Sequence, residues 1–394
     1  MSAIAPAAGT VPESLTRLRR PALIGGIALL VVCAVAALLG SDHFYRSYLL
    51  AFLFWTGIAV GCMAIAMLNH VTGGAWGAVM RRPLESGAAT LPLMALLFVP
   101  IALSLHRLYE WSHAEALARD PLLRHKSAYL NPAFFVGRAL VYFAGWIFLA
   151  HLLRKWSLDM DRSADPARRR RLQLFSSIGL VAYGLTVTFA SIDWVMSLEP
   201  HWFSTMYGVL FIIGQALGAF SFMVALTVIL ARREPLSAVV TRDTLHDQGK
   251  LLLAFVMLWS YAAFSQFLII WSGNLPEEVS WYVARFRGGW GAVGLVLVVF
   301  HFFIPFVLLL ARTTKRAPRV LGATAALVLG MRFVDLIWLV LPAFSRGHLR
   351  IHWMDLVLPL GMGGVWLAVF LWQLGRGPLV PANDPSLSRR PAHG

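Results

Sequence analysis

The sequence predicts an all-α, polytopic transmembrane protein of about ten helices, and three observations predict it. The 394 residues are 58% hydrophobic and only 13% charged, whereas soluble domains carry about a quarter charged residues. Apolar runs of about 20 residues, the length that crosses a bilayer as a helix, recur along the whole chain. Lysine and arginine gather in short clusters between those runs, where lipid headgroups meet them. The formal net charge of +15 therefore reads as membrane topology, and no nucleic-acid partner is expected.

The runs, in order, fall at 21–40, 46–68, 87–108, 132–154, 172–195, 203–231, 251–272, 288–311, 320–341 and 356–374. The polar stretch before the first run ends in Arg17, Arg19 and Arg20. The run behind it is read as a span because it is long and lacks the cleavage signal of a secretory leader. With ten spans the loops alternate sides, and about 23 Lys and Arg lie on the side of the termini against about 9 on the other. The largest contributors are Arg154, Lys155, Arg162 and Arg168 to Arg171, followed by Arg312, Lys315, Arg316 and Arg319. Both termini are accordingly expected on the cytoplasmic side of the membrane. The opposite loops carry Glu110, Trp111, Glu199, Trp202, Glu277, Glu278 and Trp281 as interface anchors. The Pro-containing tail, 377–394, is expected to be disordered or bound by a partner.

Spans two to five resemble spans six to nine, as a parallel internal repeat would. Tyr48 precedes Gly57 and Gly61, and Tyr207 precedes Gly214 and Gly218, so each half opens on a small-residue face that permits close helix approach. Glu85-Ser86-Gly87 matches Asp247-Gln248-Gly249. Asp193-Trp194 with Pro200 matches Asp335-Leu336 with Pro342 at the same interval. Chance similarity between apolar segments is the competing explanation. The expected organisation is an arm at 1–20, a peripheral helix at 21–45, a four-helix bundle at 46–199 and a second at 200–345. A peripheral tenth helix at 346–376 and the tail at 377–394 complete it.

Ionisable residues inside spans cost about 2.5–3.5 kcal/mol at a helix centre, which makes each a candidate site. Arg332 and Asp335 lie three apart, hence on one helix face, and form either a structural ion pair or a proton-handling pair. Asp193 has no opposite charge in its own helix, so it either titrates or is met by Arg138 of the fourth span. His301, mid-span, is a satisfied core histidine or a proton relay. Asn69, His70, Glu85, His151, Asp247 and Lys250 either line a polar entry on the inner side or are boundary residues reaching for water. Gln215, Tyr261 and Gln266 offer neutral hydrogen-bonding groups, as interhelical contacts or as substrate contacts. Cys33 and Cys62 both sit in apolar segments and make neither a disulfide framework nor a cluster ligand set. Histidines fall one to a span at scattered depths, unlike bis-histidine haem ligation, and no zinc-binding motif occurs, so no metal is expected in this chain. Any electron carrier then belongs to a partner or a substrate.

Six segments carry a family resemblance: HVTGGAWG at 70–77, YLNP at 129–132, ASIDWVMSL at 190–198, GKLLLAF at 249–255, QFLIIWSGNLPEE at 266–278 and FIPF at 303–306. They resemble the second quinol-site-like membrane subunit of bacterial alternative complex III, itself similar to the polysulfide reductase membrane anchors. The likeness runs from span two through span eight. It implies paired four-helix bundles without bound metal, in a quinol:cytochrome c oxidoreductase of the respiratory chain. Implied partners are the sister quinol-site subunit, an iron–sulfur subunit, multihaem cytochromes and a haem–copper oxidase, with haem and iron–sulfur centres in those partners and quinone or quinol as the lipid substrate. Under that reading Asp193, Asp335 and Arg332 are the catalytic candidates. His70, Glu85, His151, Asp247, Lys250 and His301 form a proton pathway, and Arg138, Gln215, Tyr261 and Gln266 contact substrate. The N-terminal arm and the last two spans depart from the family pattern, leaving His352 and Asp355 without an implied role. A secondary transporter and a purely structural membrane anchor are the alternatives.

Overall fold

The computed structural model describes residues 11–41, 43–163, 165–345 and 347–388; the expected arm at 1–20 and tail at 377–394 therefore fall partly outside the described residues. Among the described residues, ten helices are long and apolar enough to cross a membrane and no strand occurs. They are α1 (Arg19–Leu38), α2 (His43–Thr72), α3 (Arg81–Leu103), α4 (Pro132–Arg162) and α5 (Pro166–Trp194). The second half adds α6 (Tyr207–Leu230), α7 (Arg242–Gly273), α8 (Trp290–Leu310), α9 (Pro318–Val340) and α10 (Met354–Leu374). Large apolar side chains such as Phe148, Ile178, Phe264, Ile269 and Leu295 point outward. An exterior of that kind requires lipid as its solvent, so the chain is a multi-pass membrane protein.

Several helices run past the apolar windows because local capping, not hydropathy, sets their ends. Asn131 accepts a hydrogen bond from the Phe134 amide at 2.9 Å and Pro132 opens α4. Asp165 accepts from the Ala167 amide at 2.9 Å ahead of Pro166 in α5, and Thr241 accepts from the Thr244 amide at 3.1 Å ahead of α7. Proline suits the first turn, where its missing N–H would have no helical partner. With 31 residues, α4 is roughly 46 Å long, well beyond the ~30 Å hydrocarbon layer. Its last eight residues and the first turns of α5 and α7 thus form a polar rim on the face where α10 ends, called here the tail face.

Two helices make the centre. In α2, 89% of the apolar window is buried, and in α6 72%. The two pack against each other along the small-residue face expected of them: a Cβ on Gly61 would collide with the backbone of Gln215 in α6. Around this pair, α3, α4 and α5 gather on one side and α7, α8 and α9 on the other, with α5 and α9 also touching the opposite half's first helix. The first helix is peripheral, with 11% of its window buried. The tenth is more buried than the expected peripheral position would give, at 61%. It lies between α1 and α2, where Gly26 meets the Gly361 carbonyl so closely that a Cβ would sit 2.7 Å from it. The Trp55 indole stacks on Trp366 at 5.0 Å and donates to the Pro359 carbonyl at 2.8 Å, anchoring α10 to α2.

On the face opposite the tail, the amphipathic helix Pro276–Phe286 lies between α7 and α8. Trp202 stacks on Trp281 at 4.7 Å. Arg285, fully buried, donates to Glu199 at 2.7 Å with its guanidinium 3.5 Å from the Trp281 ring centroid. An ion pair braced on an aromatic face holds this cap at the membrane boundary.

Candidate functional site

The second half places four polar or aromatic side chains together in its interior. Arg332 and Asp335 occupy one face of α9, and the Arg332 Nη1 donates to Asp335 Oδ2. From α7, the Trp259 indole N–H donates to the same oxygen at 3.2 Å. From α8, the His301 ring lies 4.1 Å from the Trp259 ring. Room for the guanidinium comes from α6: a Cβ on Gly214 would collide with Arg332, and one on Gly218 would lie 3.3 Å from its Cγ. The small-residue motif expected for helix approach in α6 therefore makes space for a buried charge.

His301 is the least satisfied member. It is completely buried, and neither Nδ1 nor Nε2 has a hydrogen-bond partner. A neutral imidazole carries one donor and one acceptor, and each left unpaired in the interior costs about 1–3 kcal/mol. The backbone around it is also unusual, since Leu297–Phe303 is a π-helical stretch inside α8. Pro305 supplies a cause: it has no N–H to give to the His301 carbonyl four residues earlier, and a wider turn routes that carbonyl differently. Wide turns of this kind are frequent at functional sites.

The first half builds its acid differently. Asp193 at the end of α5 is fully buried and accepts from Arg138 of α4 twice, at 2.9 and 2.8 Å, and from the Tyr142 hydroxyl at 2.8 Å. Arg138 also donates to the Tyr129 carbonyl at 3.0 Å and stacks 3.8 Å from the Tyr129 ring centroid. Burial, then the Asp193 charge, pushes the Tyr129 phenol above its usual range. A carboxylate with three donors and no exposure is a satisfied pair. The expectation that Asp193 accepts protons yields here to the alternative that Arg138 meets it, and Arg138 is occupied as its partner.

The expected polar entry is realised in part. On the tail face a cavity of about 460 Å³ is lined by Asn69, His70, Arg81, Asp161 and residues of the tail. His70 is bonded through Nδ1 to Ser176 Oγ at 3.1 Å, while its Nε2 has no partner. Behind it, Arg82 donates to Glu85 at 2.6 Å and to Ser157 Oγ at 3.1 Å and pairs with Asp161, leaving Glu85 Oε1 without a partner. His151 does not join this group: it is exposed on α4, one position past the inward Ala150. Asp247 and Lys250 are also exposed, and they pair with each other at 3.0 Å. Tyr261, expected to contact substrate, is 69% exposed on the outer surface of α7. The inward stripe of that helix is Val256, Trp259, Ala262 and Gln266, and two residues past Trp259 is the far side of a helix. Gln266 is buried between Ser204 at 3.2 Å and Tyr282 at 3.3 Å. Gln215 is half-buried and accepts from Tyr183 at 3.3 Å, an interhelical contact.

Trp259, Tyr142, Arg82 and Asp384 are neighbours of these sites that hydropathy and spacing did not single out. Tyr142 had a usable signal, four residues from Arg138 and hence on its face. Trp259 lies on the same stripe as Gln266, seven residues away. Asp355, left without a role, is fully buried and caps the junction into α10, accepting from Ser47 Oγ at 2.5 Å and the His352 amide at 2.8 Å. No family model matches the chain, and no curated protein matches it significantly.

Proposed function

We propose that the protein is an integral membrane subunit of a respiratory quinol:electron-acceptor oxidoreductase, in which the Trp259–His301–Arg332–Asp335 cluster handles protons of quinol oxidation. The single observation that carries the reading is His301: a buried imidazole with both nitrogens unpartnered, on a π-helical turn, packed on the Trp259 ring whose indole N–H donates to Asp335. Those free nitrogens fit a hydroxyl or carbonyl oxygen of a quinol or quinone ring, one accepting and one donating. Quinol oxidation releases two electrons and two protons. The electrons go to haem or iron–sulfur centres of partner subunits, and the protons need a base at the ring oxygen. His301 accepts a proton at its free nitrogen. Asp335, held by Arg332 and Trp259, offers the next acceptor along α9. The six sequence segments that resemble the alternative complex III subunit supply the substrate class.

Replacing His301 by Gln or Asp335 by Asn in the assembled complex is expected to lower quinol-linked turnover by about a hundredfold, the scale of one general acid–base group. Wild-type turnover in both variants, with the complex intact, overturns the proposal. Purification separates it from a secondary transporter: the protein is expected to bring haem-bearing partners visible in its spectrum, whereas a transporter comes out alone.

A further inference from the structure

A Pro-containing polar chain end normally frays unless something ties it down. Here residues 377–388 fold back over the tail face of their own chain, where the sequence suggested a disordered or partner-bound segment. Leu379 and Val380 are buried. Beyond them the Ala382 amide donates to Asp161 Oδ1 at 3.1 Å, and the Asn383 side chain donates to the Asp161 carbonyl at 2.8 Å. Asp384 pairs with Arg81 at 2.5 Å, and Arg81 in turn donates to Asn69 Oδ1 at 3.2 Å. These contacts place the segment across the mouth of the 460 Å³ cavity, to whose lining it contributes Pro381, Asn383, Asp384 and Ser386. His70 forms part of the same wall. It is 6% exposed, with its Nε2 unpartnered.

Beyond Val380 the segment is held by the buried Pro381, by Leu387 packed against the core, by the largely buried Asp384–Arg81 pair and by hydrogen bonds, each of which contributes only about 1 kcal/mol net. A segment so held opens locally without unfolding the helices beneath it. The buried His70 imidazole behind it, held at Nδ1 by Ser176 and unpartnered at Nε2, is the group whose environment changes when it opens.

We propose that residues 381–386 form a strap that closes the cavity over His70, and that release of the Asp384–Arg81 pair opens this imidazole to water and protons from the tail face. The strap is a gate on a proton-accepting site of the first half. It stands apart from the quinol reading, because its test measures chemical reactivity rather than turnover.

The test is carbethoxylation by diethyl pyrocarbonate in the full-length membrane protein, resolved peptide by peptide, with the exposed His106 and His113 as internal standards. Hydrogen exchange at the Ala382 and Ser386 amides reports whether the strap is docked. In the unaltered protein His70 is expected to react far more slowly than His106. Asp384→Asn, and separately truncation after Val380, which keeps the two buried apolar anchors, are expected to speed His70 modification by about tenfold or more. In Asp384→Asn the strap amides exchange faster, while His106 and His113 react at unchanged rates. Unchanged His70 reactivity when those amides exchange faster, or in the truncated chain, overturns the gate. Unchanged strap exchange in Asp384→Asn overturns the anchoring, and a fast-reacting His70 in the unaltered protein overturns the closure.

Discussion

The two halves each bury an aspartate near the end of their last helix, and they treat it in opposite ways. Asp193 lies one residue from the end of α5 and is clamped between helices by Arg138 and Tyr142, with every oxygen occupied and no side-chain exposure. Asp335 lies five residues inside α9, about 6 Å farther from its helix end, pairs within its own helix and keeps 6% exposure. Its donor Trp259 packs against His301, which has unfilled hydrogen-bonding capacity. A pair that joins two helices stabilises packing in one geometry. A pair on a single helix leaves neighbouring helices free to present further polar groups, so matching positions in a repeat diverge into a brace and a site.

That contrast can be broken by substitution. The largest effect is expected from Arg138→Ala, which strands a buried carboxylate: a loss of about 3–5 kcal/mol, or failure to accumulate folded protein, read by denaturation in detergent. Recovery of wild-type stability would remove Asp193 from the role of brace. Gly61→Ala comes next, at about 1–3 kcal/mol, because the added methyl meets the rigid backbone of Gln215. Gly214→Ala should be milder in stability yet disturb turnover, since it meets the Arg332 side chain, which can move. Trp259→Phe removes one donor from Asp335 while Arg332 remains, and about 1 kcal/mol is expected. Smallest in stability is His301→Leu: an imidazole that makes no hydrogen bond loses nothing by becoming apolar, so the thermal midpoint should hold or rise while quinol-linked turnover falls. A drop of several degrees would mean that His301 has a structural partner.

The tail responds to pH in a definite direction. Burial raises the pKa of the Asp384 carboxyl, but the Arg81 charge and the hydrogen bonds from Ser386 and Arg81 outweigh it, leaving the group below the usual carboxylate range. His70, Asp161, Asp165 and Arg169 face it across the cavity. A depressed folded-state value means that docking is fully stabilised above the ordinary carboxylate pKa, about 4, and is lost only as pH falls through the lower folded value. Exchange at Ala382 and Ser386 should therefore be governed by the same docking strength from about pH 5 to pH 8. Release of the strap within that range would assign its control to another group.

Much of this architecture was legible beforehand. The ten spans follow from hydropathy because lipid imposes the apolar length. The Arg332–Asp335 pair follows from helical spacing alone. The helix ends were less legible: α4 runs on past its apolar window at its far end, and α5 and α7 begin earlier than theirs, in polar sequence where a hydropathy window is blind and caps at Asp165 and Thr241 decide. Tyr261 faces outward, and of the two roles left open for His151, Asp247 and Lys250 the exposed boundary one is realised, because composition shows that a polar residue is present but not which way its helix is turned.

Membrane insertion, number of crossings and the in-helix charge pair are properties of short stretches of chain, and residue order alone determined them. Rotation, depth and neighbour choice of each helix belong to the packed assembly. Only tertiary structure brought Trp259 to Asp335 and His301 to Trp259, gave Arg138 to Asp193 and laid the tail on Arg81. Trp259 reaches Asp335 across 76 residues of chain and Arg138 reaches Asp193 across 55, while the Arg81–Asp384 pair spans most of the sequence. Lipid rewards any apolar face equally, so the turn of one helix against another is settled by interlocking side chains and buried hydrogen bonds.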